Sequence, residues 1–207
     1  NLKLNLKVLG ISNSKKMVIS DSEIDLNNWS KLLDKSKSKA NFNDFQNKIL
    51  ELNLRNSLFV DNTASEVIPS TYSKYLKNGV GIVTCNKIAN SVEYSNYELL
   101  KSLSRNNNSP FFYETNVGAA LPVISTLNNL INSGDKVIKI EAVLSGTLNY
   151  IFNNFIKPDT FHDIVSKAVD LGFTEPDPKI DLCGIDVSRK ILILARESGF
   201  NIEFDEV

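Results

Sequence analysis

The chain has 207 residues, and its 42% hydrophobic and 23% charged residues are the balance of an ordinary globular protein. Its 23 basic and 24 acidic residues give a formal net charge of −1, which argues against non-specific nucleic-acid binding, and no apolar run approaches the roughly 18 residues of a membrane span. One histidine and two cysteines exclude most zinc sites and a disulfide framework. We therefore expect a protein of the reducing cytoplasm with neither a nucleic-acid nor a membrane partner.

The first half of the chain alternates between short apolar runs and amphipathic segments. The predicted strands are residues 4–11, 58–60, 80–84 and 111–113, and the predicted helices are residues 26–34, 41–52, 65–77 and 94–103. Strands that alternate with helices through short connections are typical of a parallel sheet covered by helices. The pattern therefore predicts an α/β fold for this half.

The character of the sequence changes after Glu114, where we predict a domain boundary between residues 1–113 and 114–207. A long strand is predicted over residues 137–144. The predicted helices are residues 118–131, 146–155 and 181–198, together with one that begins at a capping-box-like pair, Thr160 and Asp163. The second half is thus expected to be a sheet-and-helix domain.

The last predicted helix, residues 181–198, contains an unusual pair of charges. Its residues are apolar nearly all round, which predicts burial, yet Asp186 and Lys190 lie four positions apart on one face. One interpretation is a structural salt bridge at an exposed end of the helix, because burying an ion pair costs desolvation. The other is a lysine that shuttles a proton in an active site. The pattern alone leaves both open.

A loop stiffened by two prolines precedes this helix. It holds Glu175 and Asp177 beside the helix that carries the charge pair. Carboxylates fixed near a lysine suit a small substrate with an ammonium group and a hydroxyl, although a proline-rich surface turn explains the segment equally well when it is considered alone.

Polar residues also follow two predicted strands directly. Lys87 comes after the strand over residues 80–84, and Thr63 comes after the strand over residues 58–60, where a helix begins. In open parallel sheets ligands bind beyond the carboxyl ends of the strands, and helix N-termini favour anions. These positions predict a ligand-binding edge of the sheet.

Three other residues have a chemical and a structural interpretation. Glu114 stands before a turn whose carbonyls could hold a hard cation, but a plain helix cap is favoured on physical grounds. His162, next to an apolar residue, is expected at the surface. Cys85 is a conceivable nucleophile, but with no histidine nearby in sequence a small buried residue is the better prediction.

Five stretches of the sequence resemble homoserine dehydrogenase, and together they cover nearly the whole chain. They are residues 61–65 (D-N-T-A-S), 84–89 (T-C-N-K-I-A), 113–122 (Y-E-T-N-V-G-A-A-L-P), 144–152 (L-S-G-T-L-N-Y-I-F) and 172–190, which contains T-E-P-D-P-(x)2-D-L-x-G-x-D-V-x-R-K. The last motif is long and highly specific. Residues 10–15 (G-I-S-N-S-K) and 26–29 (L-N-N-W) are most similar to the form fused to aspartate kinase.

This resemblance implies a reversible, NAD(P)-dependent interconversion of L-homoserine and L-aspartate 4-semialdehyde, on the route to threonine and methionine. Carried over by position, the resemblance implies that Lys190 transfers the proton, and that Thr63 and Lys87 contact the cofactor, with Lys87 also near the reacting centre. It implies that Gly172, Glu175 and Asp186 contact homoserine, with Asp181 nearby. It also implies a sodium site formed by Glu114 and the backbone carbonyls of Val117, Ala119 and Leu121.

The choice between NAD and NADP is predicted from the segment after the first strand. Ser12 and Asn13, followed by Lys15 and Lys16, stand where the adenosine ribose would lie, and a lysine can accept a 2′-phosphate, so NADP is favoured. The resemblance further implies association into a homodimer or a larger homo-oligomer.

The sequence departs from the family at single residues and in one missing motif. Ile180 stands where an acidic residue is usual, and Cys85 stands where proline is commoner. The glycine-rich turn of the G-x-G-x-x-G type is absent, in keeping with only 9 glycines. We therefore expect an internal part of a longer enzyme, namely an incomplete Rossmann-like NAD(P)-binding domain followed by part of an α+β catalytic and dimerisation domain.

Two other hypotheses remain at this stage. The chain could be a semialdehyde dehydrogenase that uses Cys85 as its nucleophile, in which case aldehyde oxidation would depend on phosphate and on the thiol. It could instead be a non-catalytic oligomerisation or substrate-binding module, as the missing glycine-rich turn would allow. Calorimetry with NADPH tests the non-catalytic hypothesis, because tight binding of the cofactor would argue against it.

Overall fold

The computed structural model describes residues 3–119 and 121–207. Within them the chain forms two compact units that interleave in sequence. Unit 1 is drawn from Asn1–Asp61, Ser65–Val83 and Leu99–Phe111, and unit 2 is drawn from Asn62–Ala64, Thr84–Glu98 and Phe112–Val207. The two-domain division at residue 114 stays a prediction.

Unit 1 begins with an antiparallel hairpin of strands β1 (Gly10–Ser12) and β2 (Met17–Ile19). The predicted strand over residues 4–11 is therefore wrong for most of its length. A strand needs a neighbour that supplies a ladder of backbone partners, and β2 is only three residues long, so Leu4 and Leu6 are left exposed. Helices α1 (Trp29–Lys35) and α2 (Phe42–Glu51) follow as predicted, and the Asn41 side chain caps α2.

The central sheet has the strand order β3-β4-β5 and is parallel, which confirms the predicted α/β class. Its strands are β3 (Leu58–Asp61), β4 (Gly81–Thr84) and β5 (Phe111–Phe112). Between β3 and β4 the chain forms a 3-10 turn, Ile68–Thr71, and helix α3, Tyr72–Lys77. Helices α4 (Ile88–Ser91) and α5 (Tyr94–Asn106) lie between β4 and β5. The core of unit 1 is fully buried at Tyr72, Tyr75, Leu76, Ile82 and Leu100.

The regular secondary structure in the rest of unit 2 is helical. Its helices are α6 (Val123–Asn132), α7 (Gly146–Asn154), α8 (Phe161–Asp170), α9 (Pro178–Leu182) and α10 (Ile185–Glu197). The Thr160 and Asp163 capping box forms as predicted, and Ser145 caps α7. Helices α7 and α8 bury Ile151, Ile164 and Ala168 between them.

Three element predictions for this half are wrong, each for a local reason. Residues 137–144 have no regular secondary structure and form no ladder in the described chain, and Ile138 is 98% exposed. The helix predicted from residue 118 begins only at Val123, because Gly118 and Ala119 have positive φ angles (Ala120 lies outside the described residues). The last helix is interrupted by Gly184, whose φ of 71° breaks it into α9 and α10.

None of the helices in the described residues has the length and the continuous apolar character that crossing a bilayer requires.

Candidate functional site

Two lysines from different segments of unit 2 converge on one carboxylate. Asp186 and Lys190 lie one turn apart near the start of α10, and their Oδ2 and Nζ atoms are 2.6 Å apart. Lys87, at the N-cap position of α4, places its Nζ 3.2 Å from the other carboxylate oxygen of Asp186. We call these three residues the Lys87–Asp186–Lys190 cluster.

The segment that carries Lys87 is held in place by the side chains around it. The backbone N–H of Asn86 donates to the Thr84 hydroxyl at 2.9 Å, and the Asn86 side chain accepts the N–H of Ile88 at 3.0 Å. Because the chain turns tightly directly after β4, the backbone of Lys87 is held at the carboxyl end of that strand.

The Lys190 ammonium has a second partner, since it donates to the carbonyl of Leu144 at 2.8 Å. Only 18% of its side chain is exposed, against 27% for Lys87 and 50% for Asp186. Partial burial alone would raise the pKa of Asp186, but the hydrogen bond from Lys190 and the charge of Lys87 outweigh it and hold that pKa below its ordinary value. The cluster is therefore a carboxylate between two ammonium groups, with a net positive charge.

The proline-flanked loop forms a second group of contacts. Asp177 caps α9 by accepting the N–H of Lys179, and Asp181 accepts the N–H of Glu175 at 2.8 Å. The Glu175 side chain stands at the surface, as does Ile180. Asp181 thus fixes the backbone from which the Glu175 carboxylate projects.

Gly172 ends α8 in the left-handed region, with φ of 72° and its N–H bonded to the Val169 carbonyl. It borders a cavity of about 540 Å³ together with Gly146, Thr147, Asn149, Tyr150, Asn153, Asn154 and Phe173. The Thr147 hydroxyl donates to the carbonyl of Phe173, and this ties the start of α7 to the loop. The sequence predicts Thr147 only as part of a helix start, and this contact with the loop was missed.

The predicted cofactor residues occupy both units. Thr63 follows β3 and belongs to unit 2, as does Lys87. In unit 1 the Asn13 side chain accepts the N–H groups of Lys15 and Lys16, both at 2.8 Å, and the Ser12 hydroxyl donates to the Asn13 carbonyl. Ser12 and Asn13 thus shape the β1–β2 turn with their own polar groups.

The Glu114 carboxylate caps α6. Its two oxygens accept the N–H groups of Ile124 and Ser125, at 2.8 and 2.9 Å. This is the helix-cap arrangement that physical reasoning favoured. A carboxylate has about four lone-pair sites, so Glu114 keeps capacity for a cation as well. Val117 and Ala119 stand in the same turn, and the Leu121 carbonyl accepts the Val123 N–H at 2.9 Å. Carboxylate and carbonyl oxygens are the donor types that a hard cation takes.

The remaining candidates give a mixed outcome. His162 is exposed, as predicted. Cys85 is exposed, so the expectation of burial is wrong; it lies in the turn between β4 and α4, where the backbone follows the surface. In the described part of the chain no group of three or more His, Cys, Asp or Glu side chains is arranged to hold a metal ion.

The last turn of α10 contains two buried charged residues that sequence reasoning missed, Arg196 and Glu197. Glu197 accepts hydrogen bonds from the hydroxyls of Tyr97 and Tyr113 and, at 2.9 Å, from the amide of Asn128. Burial, reinforced by the Glu197 charge, raises the pKa of both tyrosines well above the ordinary value. The signal in the sequence was an adjacent pair of opposite charges inside an apolar helix.

The chain is similar to curated and solved proteins over almost all of its length. It is 44% identical to bifunctional aspartokinase/homoserine dehydrogenase 2 of Arabidopsis thaliana, over 99% of this chain and 22% of that protein. A Candida auris protein of unknown function matches with a TM-score of 0.90 and 34% identity, over 98% of this chain and 58% of that one. A hyperthermophilic archaeal homoserine dehydrogenase in complex with NADPH matches with a TM-score of 0.74 and 25% identity, over 92% and 59% of the two chains.

Two family models account for the two halves of the sequence. The homoserine dehydrogenase NAD-binding domain matches residues 2–114, and the homoserine dehydrogenase domain matches residues 122–207. The chain spans between 22% and 25% of the length of its bifunctional relatives from plants and Buchnera aphidicola. The resemblance inferred from the motifs is confirmed, and the chain belongs to the homoserine dehydrogenase family.

Proposed function

We propose that this chain provides the proton-transfer and substrate-binding residues of an NAD(P)-dependent homoserine dehydrogenase, which interconverts L-homoserine and L-aspartate 4-semialdehyde. The observation that carries the proposal is the Lys87–Asp186–Lys190 cluster, in which a largely covered ammonium is held by a carboxylate and a carbonyl. Family membership supports the choice of substrate.

Lys190 is the proposed proton donor and acceptor. Reduction of the aldehyde places negative charge on its oxygen, and an ammonium at that oxygen donates the proton that completes the alcohol. In the reverse direction the uncharged amine accepts the hydroxyl proton as the carbon loses hydride. The contacts of Lys190 with Asp186 and Leu144 support this role, because they fix the Nζ atom at a defined point.

Asp186 and Glu175 are proposed to bind the amino group of the substrate, and Lys87 to lie beside the reacting centre. The exposed half of Asp186 leaves part of its carboxylate open to a ligand, and Glu175 is presented by the loop that Asp181 fixes. Gly172 is proposed to let the substrate approach the backbone closely, since nothing lies within 4 Å of the position that a Cβ would occupy.

NAD(P) is the proposed cofactor, and when bound it supplies or accepts the hydride. Thr63 and Lys87 follow β3 and β4, and this supports binding beyond the carboxyl ends of parallel strands. Preference for NADP, with contacts near Ser12 and Asn13, rests on the lysines of the β1–β2 turn. The sequence has no G-x-G-x-x-G turn, so we assign no pyrophosphate contacts to these residues.

A sodium ion at Glu114 and the carbonyls of Val117, Ala119 and Leu121 is a further part of the proposal. The remaining acceptor capacity of the carboxylate supports it, together with the sharp turn at Gly118 and Ala119, whose φ angles are 84° and 47°. Its role is structural, because the same carboxylate caps α6.

Self-association into a homodimer or larger homo-oligomer is also proposed. Residues 137–144 support it, since Ile138 and Val143 are exposed apolar side chains in a segment that forms no ladder with the described residues. A reducing compartment such as the cytoplasm is proposed because both cysteines, Cys85 and Cys183, are free and exposed.

The test of the proposed function is Lys190→Ala in the full-length enzyme, with Lys136→Ala at an exposed position as the matched control. Loss of the general acid should lower kcat for aldehyde reduction by about 10²–10⁴-fold, whereas the control should match the wild type. Turnover is followed by nicotinamide absorbance in both directions. Wild-type turnover in Lys190→Ala would refute the assignment.

A further inference from the structure

Arg196 lies at the opposite end of α10 from the Lys87–Asp186–Lys190 cluster. Ten residues separate it from Asp186, which is about 15 Å along the helix axis. Its side chain has no exposed area, and an arginine is seldom buried unless every N–H group finds a partner. Its contacts therefore show what this end of the helix is attached to.

One edge of the Arg196 guanidinium binds helix α4. Its Nη1 atom donates to the carbonyl of Asn90 at 3.0 Å and to that of Val92 at 2.7 Å. These are carbonyls at the C-terminal end of α4, where a helix leaves its acceptors without intrahelical donors. Arg196 thus caps the end of α4, and Lys87 occupies the N-cap position at its beginning, with its side chain on Asp186.

The other edge of the guanidinium binds the segment after α10. Nε and Nη2 donate to the carbonyl of Ile202 at 3.2 and 3.1 Å, and Nη2 lies 3.0 Å from Glu203 Oε2. The guanidinium carbon is also 5.6 and 5.7 Å from the ring centres of Tyr94 and Tyr97. With both edges and a face engaged, the group cannot shift without losing several contacts together.

Helices α4 and α10 are consequently joined at two points. Lys87 meets Asp186 at the start of both helices, and Arg196 meets Asn90 and Val92 at their ends. A single contact would fix a distance only, whereas two contacts also fix the direction of α4 relative to α10. The reach of Lys87 toward Asp186 therefore depends on the attachment at the far end.

We propose that Arg196 is a positioning residue, which holds α4 along α10 so that Lys87 and Lys190 converge on Asp186. It touches neither substrate nor cofactor in this role and acts through Lys87. The inference rests on the proposed function, because its consequence is measured in turnover.

The test is a double-mutant cycle in the full-length enzyme with Arg196→Lys and Lys87→Ala. A lysine keeps the charge but cannot reach the acceptors on both sides, so kcat/KM for homoserine should fall about ten- to a hundredfold. In the Lys87→Ala background the same change should cost less than about threefold, because the residue through which Arg196 acts is gone. Arg105→Lys, at an exposed position in the last turn of α5, is the matched control and should match the wild type.

A purely structural role gives a different result. Loss of folded enzyme lowers kcat by the same factor in both backgrounds and leaves KM unchanged. Equal losses in the two backgrounds, or wild-type kinetics in Arg196→Lys, would overturn the proposal. If Arg196→Lys does not fold, Glu203→Gln decides, since it removes the half-exposed charge that faces Arg196. Glu203→Gln should lower kcat/KM by less than Arg196→Lys does, and this loss should vanish in the Lys87→Ala background. If Glu203→Gln causes no loss, or the same loss in both backgrounds, the inference is refuted.

The Lys190→Ala variant keeps the two proposals separable. If it retains turnover, the proposed function fails whatever Arg196 does. If it loses turnover while the Arg196 and Lys87 effects multiply independently, the function stands and only the positioning role fails.

Discussion

Replacing the buried Glu197 should cost unit 2 a large part of its stability. In Glu197→Ala the hydroxyls of Tyr97 and Tyr113 and the amide of Asn128 lose a charged acceptor inside the protein. Each hydrogen bond to a charged group contributes about 1.5–3 kcal/mol, but the two tyrosines partly satisfy each other once the carboxylate is gone. We therefore expect the free energy of unfolding to fall by about 3–5 kcal/mol.

The assay is urea unfolding at neutral pH, followed by circular dichroism, with the midpoint and the slope fitted together. Glu98→Ala, at an exposed position on α5, is the matched control and should change the free energy of unfolding by less than about 0.5 kcal/mol. Glu197→Gln keeps one acceptor oxygen and should cost roughly 1–2 kcal/mol. The reasoning is refuted if Glu197→Ala costs no more than the control, since the three donors would then be satisfied without the carboxylate.

Two further predictions concern charge. The pKa of Asp186 is lowered in the folded protein, so its charge stabilises the fold above the unfolded-state pKa of about 3.9, and this contribution is lost as the pH falls through the folded-state value. The difference in the free energy of unfolding between wild type and Asp186→Asn should accordingly be constant from about pH 7 to pH 5, and it should be small because Asp186 is half exposed. It should vanish once the pH falls below the folded-state pKa of Asp186. A difference that persists in acid contradicts this prediction. For the Glu114 turn, we expect sodium chloride to raise the thermal midpoint more than choline chloride at equal ionic strength, and expect Glu114→Gln to abolish the difference, whereas equal midpoints in the two salts would contradict the sodium site.

The sequence predicted those elements whose signals are local. Helix α8 begins at Thr160 because the capping box with Asp163 satisfies the first N–H groups within four residues, and any neighbouring structure is irrelevant to that bond. The segment over residues 137–144 failed for the opposite reason. Apolar alternation marks a backbone able to form a strand, but a ladder requires a partner that the segment itself does not encode. Gly184 was missed because the residues on either side of it share one helical pattern.

The candidate site was predictable as a set of residue types and not as a set of contacts. The i, i+4 spacing placed Asp186 and Lys190 on one face correctly. That Lys87 binds the same carboxylate depends on how β4 and α10 are brought together over about a hundred residues, which no local pattern specifies. The Leu144 carbonyl was invisible for a further reason, because every residue has one and only the fold selects which carbonyl is used.

The bond between Lys190 and the Leu144 carbonyl makes the position of the amine depend on the path of the main chain before α7. Leu144 is the last residue of the segment over residues 137–144, which has exposed apolar side chains and no ladder in the described chain. A strand that paired with this segment would restrict the backbone of residues 137–144. Because the Leu144 carbonyl accepts from Lys190, it would restrict the Lys190 ammonium as well. If the pairing strand came from another chain, as the proposed self-association would allow, association of the chains would also restrict the position of the Lys190 ammonium.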